Sequence, residues 1–172
     1  MEVAPSTMTK EQVESLLRAA LNDLQMSDAH LLNIRANERS MTHRLAVHLE
    51  WRLQPMASGW SVDCEFNRDG GVPKRLLGHS EEYARGGSAH DLVMDDRGRT
   101  VFPDIIIQAR GEKGPNLLVI EAKWDGATAN DIELDRQKLR AYVEEYRYRH
   151  AYLVLFQINR CIFERVDLPR NE

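Results

Sequence analysis

The chain has 172 residues, of which 42% are hydrophobic and 29% charged, and its formal net charge is −4. This length and balance are typical of one globular domain with a core, so a second full domain is not expected. The charge argues against a surface that is basic throughout, as in a protein that coats nucleic acid. Residues 1–32 carry a net charge of −3, so the rest is nearly balanced and has room for a local basic groove.

The apolar runs are far shorter than the roughly 20 residues that a membrane span requires, and the first residues lack a basic segment followed by an apolar one. We therefore expect a soluble, cytoplasmic protein with no membrane partner. The two cysteines, Cys64 and Cys161, lie among apolar neighbours in strand-like runs. That setting is typical of buried reduced thiols, and neither cysteine belongs to a C-x-x-C metal-binding pair.

Two amphipathic helices are predicted in the first third of the chain. Residues 9–26 place apolar side chains at helical spacing, with Thr9 as the N-cap and Glu11 in the first turn. A second helix is predicted from Asn37 to Leu53, with Asn37 as its cap. Gln54-Pro55 ends it, because proline disfavours a helical residue before it.

The middle of the chain alternates and then becomes irregular. Trp60–Asn67 is predicted to be a strand with Val62, Cys64 and Phe66 on one face, followed by a turn at residues 69–71 and a return through residues 74–77. Residues 78–100 show no sustained period and are interpreted as a long, partly irregular insertion. A local basic groove could be formed here by Arg68, Lys74, Arg75, Arg97 and Arg99, although scattered solvated arginines would give the same pattern.

The last part predicts three strands, a helix and a short edge segment. Residues 101–109 and 117–124 read as strands joined by a turn at 111–115. Asn130-Asp131-Ile132-Glu133 resembles a capping box that begins a helix running to about Arg149. A strand at 150–159 and an edge segment at 162–164 follow. The sequence therefore predicts a mixed α/β (α+β) domain in which helices flank a small sheet, with the strands before and after the last helix parallel.

Two acidic residues fall on the most apolar strands. Asp104 opens Ile105-Ile106-Ile107, and Glu121 follows Leu117–Ile120. Ionisable groups at such positions cost several kcal/mol unless they are paired or bind a metal. Strand alternation puts Lys123 on the same face as Glu121. A turn centred near residues 112–114 brings Asp104 close to register with Glu121, so both carboxylates can converge on one Mg²⁺.

Pro103-Asp104 together with Glu121-Ala122-Lys123 resembles the motif of the PD-(D/E)xK nuclease superfamily, and the resemblance covers residues 37–157. It implies a restriction-endonuclease-like core in which helices flank a mixed central sheet. It also implies that Asp104 and Glu121 bind Mg²⁺, for which Mn²⁺ is expected to substitute. The resemblance implies that Lys123 polarises the scissile phosphate or positions the attacking water.

Many members of that superfamily add a glutamate from the helix before the sheet, and the resemblance makes Glu38 the candidate for a third metal ligand. Counting by three and four from Glu38 reaches Met41, Leu45 and Leu49, so Glu38 continues the inward face of its helix. The alternative is that Glu38 only interacts favourably with the N-terminal end of the helix dipole. Glu50 lies on another face and is expected to be solvated.

Several further polar residues are weaker candidates. Asp63 and Glu65 could extend the acidic site, although a half-exposed strand would alternate in the same way. Gln108 shares a face with Asp104, and a hydrogen bond in the core is favoured over contact with substrate. The last predicted helix carries Asp135, Gln137 and Lys138, which are similar to helix residues that support the metal or the phosphate in some branches of the superfamily.

Other aromatic and histidine side chains are expected to be structural. Gln137 and Tyr142 are five residues apart, which departs from the spacing of four in the helicase-linked branch of the superfamily. Tyr142 and Tyr146 share one helix face and are interpreted as core residues. His43, His79 and His90 are each more typical of structural or exposed histidines than of catalytic ones.

The leading hypothesis is a metal-dependent nuclease that hydrolyses phosphodiester bonds. DNA is favoured over RNA as its substrate and endonuclease cleavage over exonuclease cleavage, and the sequence leaves both alternatives open. The alternatives are a catalytically silent module of the same fold that binds nucleic acid or assembles a larger complex, and an unrelated interaction protein in which Glu121 and Lys123 form an edge ion pair. Without a helix-turn-helix or zinc finger, substrate preference would come from residues 68–100 or from a partner. A homodimer, or recruitment by another protein for anti-phage defence or DNA repair, would fit equally.

Overall fold

The computed structural model describes residues 7–57, 59–66, 68–69, 72–73, 75–76, 94–95, 98–100, 102–110 and 114–168. The helices in these ranges are α1 (Lys10–Ser27), α2 (Ala29–Asn33), α3 (Glu38–Leu53) and α4 (Ala129–Tyr146). The strands are β1 (Ser61–Cys64), β2 (Arg68–Asp69), β3 (Val72–Pro73), β4 (Arg75–Leu76), β5 (Met94–Asp95), β6 (Gly98–Thr100), β7 (Ile105–Gln108), β8 (Asn116–Trp124), β9 (His150–Phe156) and β10 (Ile162–Arg165).

The main sheet has five strands in the order β1-β7-β8-β9-β10. Strands β8 and β9 are parallel, and the other neighbouring pairs are antiparallel. Helix α4 connects the parallel pair, as a crossover between parallel strands requires. The prediction of a mixed α/β fold with helices around a mixed sheet is therefore confirmed, as is the parallel pairing across the last helix.

Hydrophobic side chains cover both faces of the sheet. On one face, α1 and α3 pack against residues that include Leu118, Ile120 and Ala122 of β8. On the other face, α4 packs against residues that include Val119 of β8 and Leu153 of β9. Because side chains alternate along a strand, Glu121 and Lys123 fall on the α4 face, with Val119. Packing of the core therefore places Glu121 and Lys123 on the face of the sheet that α4 covers.

Helices α1 and α3 begin where the sequence predicts. The Thr9 hydroxyl accepts from the backbone N–H of Gln12, and the Gln12 side chain accepts from the N–H of Thr9. The Asn37 side chain accepts from the N–H of Ser40. These bonds satisfy backbone donors that a helix leaves unpaired in its first turn. Met41, Leu45 and Leu49 of α3 are fully buried, which confirms the predicted inward face, and Glu50 is exposed as predicted.

The bounds predicted for the last helix are wrong at both ends. The N-cap of α4 is Thr128, whose hydroxyl accepts from the N–H of Asp131, while the Asp131 side chain accepts from the N–H of Thr128. The capping box is therefore formed by Thr128 and Asp131, not by the predicted Asn130 and Glu133. The helix ends at Tyr146 because Arg147 adopts a left-handed backbone with φ 58°. That turn sends Tyr148 into the hydrophobic cluster beneath α4, where it is almost fully buried.

The first strand is shorter than predicted, and its alternation breaks. Val62 and Cys64 pack on the α1/α3 face as expected, but Phe66 packs against the cluster under α4. Glu65 lies between them with a positive φ of 49°, which interrupts the extended backbone and reverses the side of the following residue. The return strand of the next turn is Val72–Pro73, not residues 74–77. Asn67 lies outside the described residues.

The remaining strands keep their predicted positions with shifted ends. Strand β7 covers only four residues of the predicted 101–109, and β9 stops at Phe156 where the sequence predicts 159. The register of β7 with β8 shifts between Ile107 and Gln108, which marks a bulge. Strand β10 confirms the predicted edge segment. Among the helices described, none is long and apolar enough to cross a membrane.

Most of the predicted insertion at 78–100, including His79 and His90, lies outside the described residues. Within it, β5 and β6 pair antiparallel, and β6 also pairs with β4. Lys74 and Arg97 of the predicted basic groove lie outside the described residues, and the groove's other side chains are not described. Cys64 and Cys161 are free thiols and partly buried, and burial raises the pKa of both, that of Cys64 to about 11.

Candidate active site

Asp104 lies beside Glu121 at one end of the β7/β8 pair. The strands are in register at Ile105 and Ile120, and continuing that register by one residue places Asp104 opposite Glu121. Oδ2 of Asp104 accepts a hydrogen bond of 2.7 Å from the backbone N–H of Ala122. Asp104 and Glu121 are therefore neighbours on adjacent strands, as the predicted register requires. The hydrogen bond from Ala122 fixes the Asp104 carboxylate against β8.

Glu121 is a buried carboxylate with one oxygen paired and one not. It is 1% exposed, and its Oε2 lies 3.2 Å from Nζ of Lys138 on α4. Its Oε1 is buried and has no hydrogen-bond partner among the residues that the structure describes. A buried carboxylate oxygen without a partner is costly, and binding to a cation would satisfy it. Among the described atoms of this site, Oε1 of Glu121 points most directly to a bound cation.

Lys123 connects α3 to α4 at the end of β8. Its Nζ lies 3.0 Å from Oε1 of Glu38, the first residue of α3, and 3.3 Å from Oδ2 of Asp135 on α4. The predicted convergence of Glu38 and Lys123 on one site is therefore observed. In this structure, however, Glu38 is bound to the lysine, and its side chain remains about one-third exposed.

Asp135 stands between the two lysines. Its Oδ2 faces Lys123, and its Oδ1 lies 3.3 Å from Nζ of Lys138, one turn along α4. Its side chain is only 4% exposed. The sequence predicts Asp135 and Lys138 as supporting residues of the site, and their i, i+3 spacing is consistent with the observed contact between them. No signal in the sequence indicates that Asp135 also pairs with Lys123. Gln137, predicted with them, is partly buried.

Six neighbouring ionisable side chains form what we call the acid–lysine cluster: Glu38, Asp104, Glu121, Lys123, Asp135 and Lys138. It holds four carboxylates and two ammonium groups, so its net charge is −2 when every member is ionised. This is the charge that one divalent cation neutralises.

Burial and crowding shift the pKa values within the acid–lysine cluster. Burial raises the pKa of Asp104 to about 6, against the opposing effects of the Ala122 N–H and the two lysines. Burial, with Asp104 and Asp135 nearby, raises the pKa of Glu121 well above its usual range. Burial by itself would lower the pKa of Lys123, but Asp135 and Glu38 outweigh it and raise that pKa. The two acids of the motif thus favour either a proton or an added positive charge.

Asp63 and Glu65 do not extend this site, contrary to the possibility considered from the sequence. The carboxylate of Asp63 binds the guanidinium of Arg110, and Glu65 accepts a 2.6 Å hydrogen bond from Arg39. Gln108 is almost fully buried, and its side-chain amide donates to Asp63 over 3.5 Å. This contact agrees with the core hydrogen bond that the sequence favoured.

The other ring side chains agree with the structural roles predicted for them. Tyr142 is fully buried, and Tyr146 packs against the same cluster under α4, with ring centroids 6.2 Å apart. His43 is exposed on α3.

Within the described ranges, no group of three or more His, Cys, Asp and Glu side chains has the arrangement of a metal site. The contacts explain why: the lysines lie between the carboxylates and hold Glu38 and Glu121 on different ammonium groups. Asp104 and Glu121 occupy adjacent positions, so two carboxylates are side by side. Oxygen ligands of this kind fit Mg²⁺ or Mn²⁺, which need only one or two protein carboxylates besides water and phosphate.

Comparisons of the chain with protein-family models, with curated proteins and with solved structures found no match. The function must therefore be argued from the residues of the acid–lysine cluster and their geometry.

Proposed function

We propose that this protein is a divalent-metal-dependent nuclease that hydrolyses phosphodiester bonds in DNA, with a restriction-endonuclease-like core. The observation that carries the proposal is the position of Asp104 beside Glu121 on adjacent strands, where the buried Oε1 of Glu121 has no hydrogen-bond partner in the described part of the chain. Lys123 follows on the same face of β8, as the PD-(D/E)xK resemblance requires.

The charge of the acid–lysine cluster supports a divalent ion rather than a purely structural ion-pair network. A buried network whose charges do not balance is costly, because each uncompensated buried charge costs several kcal/mol. Within the acid–lysine cluster itself, two negative charges remain uncompensated when all six groups are ionised. Asp104 and Glu121 would hold Mg²⁺ or Mn²⁺, and Glu38 would reach the same ion once Lys123 turns to the substrate.

A bound divalent ion supplies Lewis acidity, which polarises a phosphoryl oxygen and makes water easier to deprotonate. Lys123 would donate a hydrogen bond to the phosphate and offset its negative charge. Asp135 keeps that ammonium near the end of β8, because it binds Lys123 from the side of α4. Asp104, anchored by the Ala122 N–H, presents a carboxylate in a constant orientation.

The test is the conversion of supercoiled plasmid to nicked or linear DNA with Mg²⁺ or Mn²⁺. Wild-type protein should nick, whereas Asp104→Ala and Lys123→Ala should lose at least about a hundredfold in rate, the usual cost of removing a group that stabilises the transition state. Glu144→Gln, an exposed position on α4, is the matched control and should nick like wild type. Equal nicking by all four proteins, or no Mn²⁺ binding by calorimetry, would contradict the proposal.

A second candidate is a catalytically silent module of the same fold that binds nucleic acid. The observation that favours it is the occupation of Glu38 and Glu121 by lysines, which leaves no described group of three ligands arranged for a metal. Such a protein would retard DNA in a gel equally with Mg²⁺ and with EDTA and would not cut it. A nuclease would bind DNA in Ca²⁺ or EDTA and cut it only in Mg²⁺ or Mn²⁺.

A further inference from the structure

Lys138 occupies the position from which a cation would neutralise Glu121. Its Nζ lies 3.2 Å from Oε2 of Glu121, while Oε1 of the same carboxylate has no hydrogen-bond partner within the described ranges. Glu121 is almost fully buried, so it cannot stay ionised in this setting without a positive charge beside it. In the metal-free protein, the ammonium of Lys138 is the positive charge in contact with Glu121, and it opposes the effect of burial on this carboxylate.

Lys138 has a second carboxylate partner, Asp135, and partial access to solvent. Its Nζ lies 3.3 Å from Oδ1 of Asp135, and about one-fifth of its side chain reaches solvent. The four-carbon stem of a lysine allows the ammonium to move by several rotamers without disturbing the helix. Lys138 can therefore leave Glu121 and remain paired with Asp135.

Lys123 differs in this respect. It lies on β8 itself, and its partners are Glu38 and Asp135. Its ion pairs therefore do not include either of the two adjacent acids, Asp104 and Glu121.

We propose that Lys138 is an exchangeable counter-cation, which neutralises Glu121 in the metal-free protein and yields this carboxylate to the divalent ion when the ion binds. This inference rests on the proposed function. Lys138 is a positioning residue in this scheme. It keeps the site folded before the metal arrives, and it weakens metal binding because the ion must displace it.

Lys138→Met keeps most of the apolar side chain and removes the charge. It should therefore affect the stability of the metal-free protein but not that of the Mn²⁺-bound protein. Without metal, the variant should melt at a lower temperature than wild type, because Glu121 loses its counter-charge. With saturating Mn²⁺, the two melting temperatures should nearly coincide. The Mn²⁺-induced rise should thus be larger in the variant by about 4 °C or more, as expected from ligand linkage and the size of the domain.

Calorimetry should give a Kd for Mn²⁺ that is about tenfold lower in Lys138→Met than in wild type, since no internal cation has to be displaced. Lys10→Met, on an exposed lysine at the start of α1, is the control and should leave both the Kd and the Mn²⁺-induced rise unchanged. Neither measurement requires catalytic turnover. Melting temperatures and Kd values therefore test the displacement of Lys138 by the metal separately from catalysis.

The outcomes separate the two proposals. If wild type binds Mn²⁺ but Lys138→Met has the same Kd and loses equal stability with and without the ion, Lys138 is a permanent structural ion pair and the exchange is wrong, while the nuclease proposal stands. If wild type binds no Mn²⁺, both proposals are overturned. A tighter Kd together with a larger metal-induced rise supports the exchange.

Discussion

Asp104 and Ala122 are joined by a hydrogen bond of 2.7 Å from the Ala122 backbone N–H to the Asp104 carboxylate. This bond is made just before β7 begins, where β8 continues past its partner strand and the Ala122 N–H needs an acceptor. It holds one acid of the motif beside the other, because Ala122 directly follows Glu121. The side chain of Ala122 points to the opposite face and is buried against α1 and α3, so the anchoring backbone is itself held rigidly by the core.

Replacing Asp104 by Asn is expected to stabilise the metal-free protein while abolishing nicking. Burial raises the pKa of Asp104 from 3.8 to about 6, so the folded state binds this proton more tightly than the unfolded state. The wild-type stability should therefore fall as the pH rises from about 4 through about 6. Asn keeps an oxygen acceptor for the Ala122 N–H and carries no charge.

Urea denaturation in EDTA should show that Asp104→Asn gains about 1 to 3 kcal/mol in free energy of unfolding at pH 8. The gain should shrink as the pH falls through about 6, where the folded state takes up the proton, and it should be nearly absent below 3.8, where the carboxyl group is protonated in both states. A variant that is less stable than wild type at pH 8 would show that the Asp104 charge is already compensated in the metal-free protein.

Replacing Asp135 by Asn removes the carboxylate that Lys123 and Lys138 share. Both lysines are partly exposed, which screens the effect, so we expect a loss of about 1 to 3 kcal/mol in free energy of unfolding. Nicking should also fall, because Lys123 loses its anchor on α4. Glu144→Gln on the exposed side of α4 serves as the control in urea denaturation. Unchanged stability and unchanged nicking would remove Asp135 from the site.

Trp124 is expected to position Glu38. Its indole N–H donates to the carbonyl of Ala36 over 2.9 Å, and its ring lies under the guanidinium of Arg35 at 4.8 Å. These contacts attach the link before α3 to the end of β8, which brings Glu38 next to Lys123. Trp124→Phe keeps an aromatic ring and removes the donor.

We expect Trp124→Phe to lose about 1 kcal/mol of stability, the typical worth of one hydrogen bond, and to weaken Mn²⁺ binding if Glu38 is a ligand. Thermal melting and calorimetry measure the two effects. Trp51→Phe is the matched control, because Trp51 is largely exposed on α3. If Trp124→Phe leaves Mn²⁺ binding unchanged, Glu38 is not a metal ligand. Its role is then limited to the N-terminal end of α3 and the ion pair with Lys123.

His150 should make the fold less stable in mild acid. Burial lowers its pKa from 6.5, against the effect of the Met8 carbonyl, and Arg165 and Arg149 lower it further. The unfolded state thus binds this proton more readily than the folded state. The stability is fully present above about pH 6.5 and is lost as the pH falls below that value.

Urea denaturation at pH 7.5 and pH 5.5 checks this expectation. His150→Gln can still donate to the Met8 carbonyl and cannot be protonated, so its stability should change less between the two pH values than that of wild type. His43→Gln, at an exposed position, should behave like wild type. An equal pH dependence in all three proteins would assign the effect to other groups.

Local signals in the sequence were sufficient where a short stretch of chain decides the structure. Thr9 and Asn37 cap their helices as predicted, because a cap depends on side chains within three residues. The start of α4 was misplaced by two residues because Thr128 and Asn130 both offer capping side chains. The flip at Phe66 was missed because nothing in the alternating pattern reveals the positive φ of Glu65.

Side-chain alternation and the short turn between antiparallel strands leave little freedom, so the two faces of β8 and the proximity of Asp104 to Glu121 can be predicted from local sequence. The pairing of each carboxylate with a particular lysine follows from the packing of the helices. Glu38, Asp135 and Lys138 come from helices on opposite sides of the sheet, and their reach to Lys123 and Glu121 depends on how α3 and α4 pack. Helix packing is set by the whole core, so no spacing in the sequence specifies it.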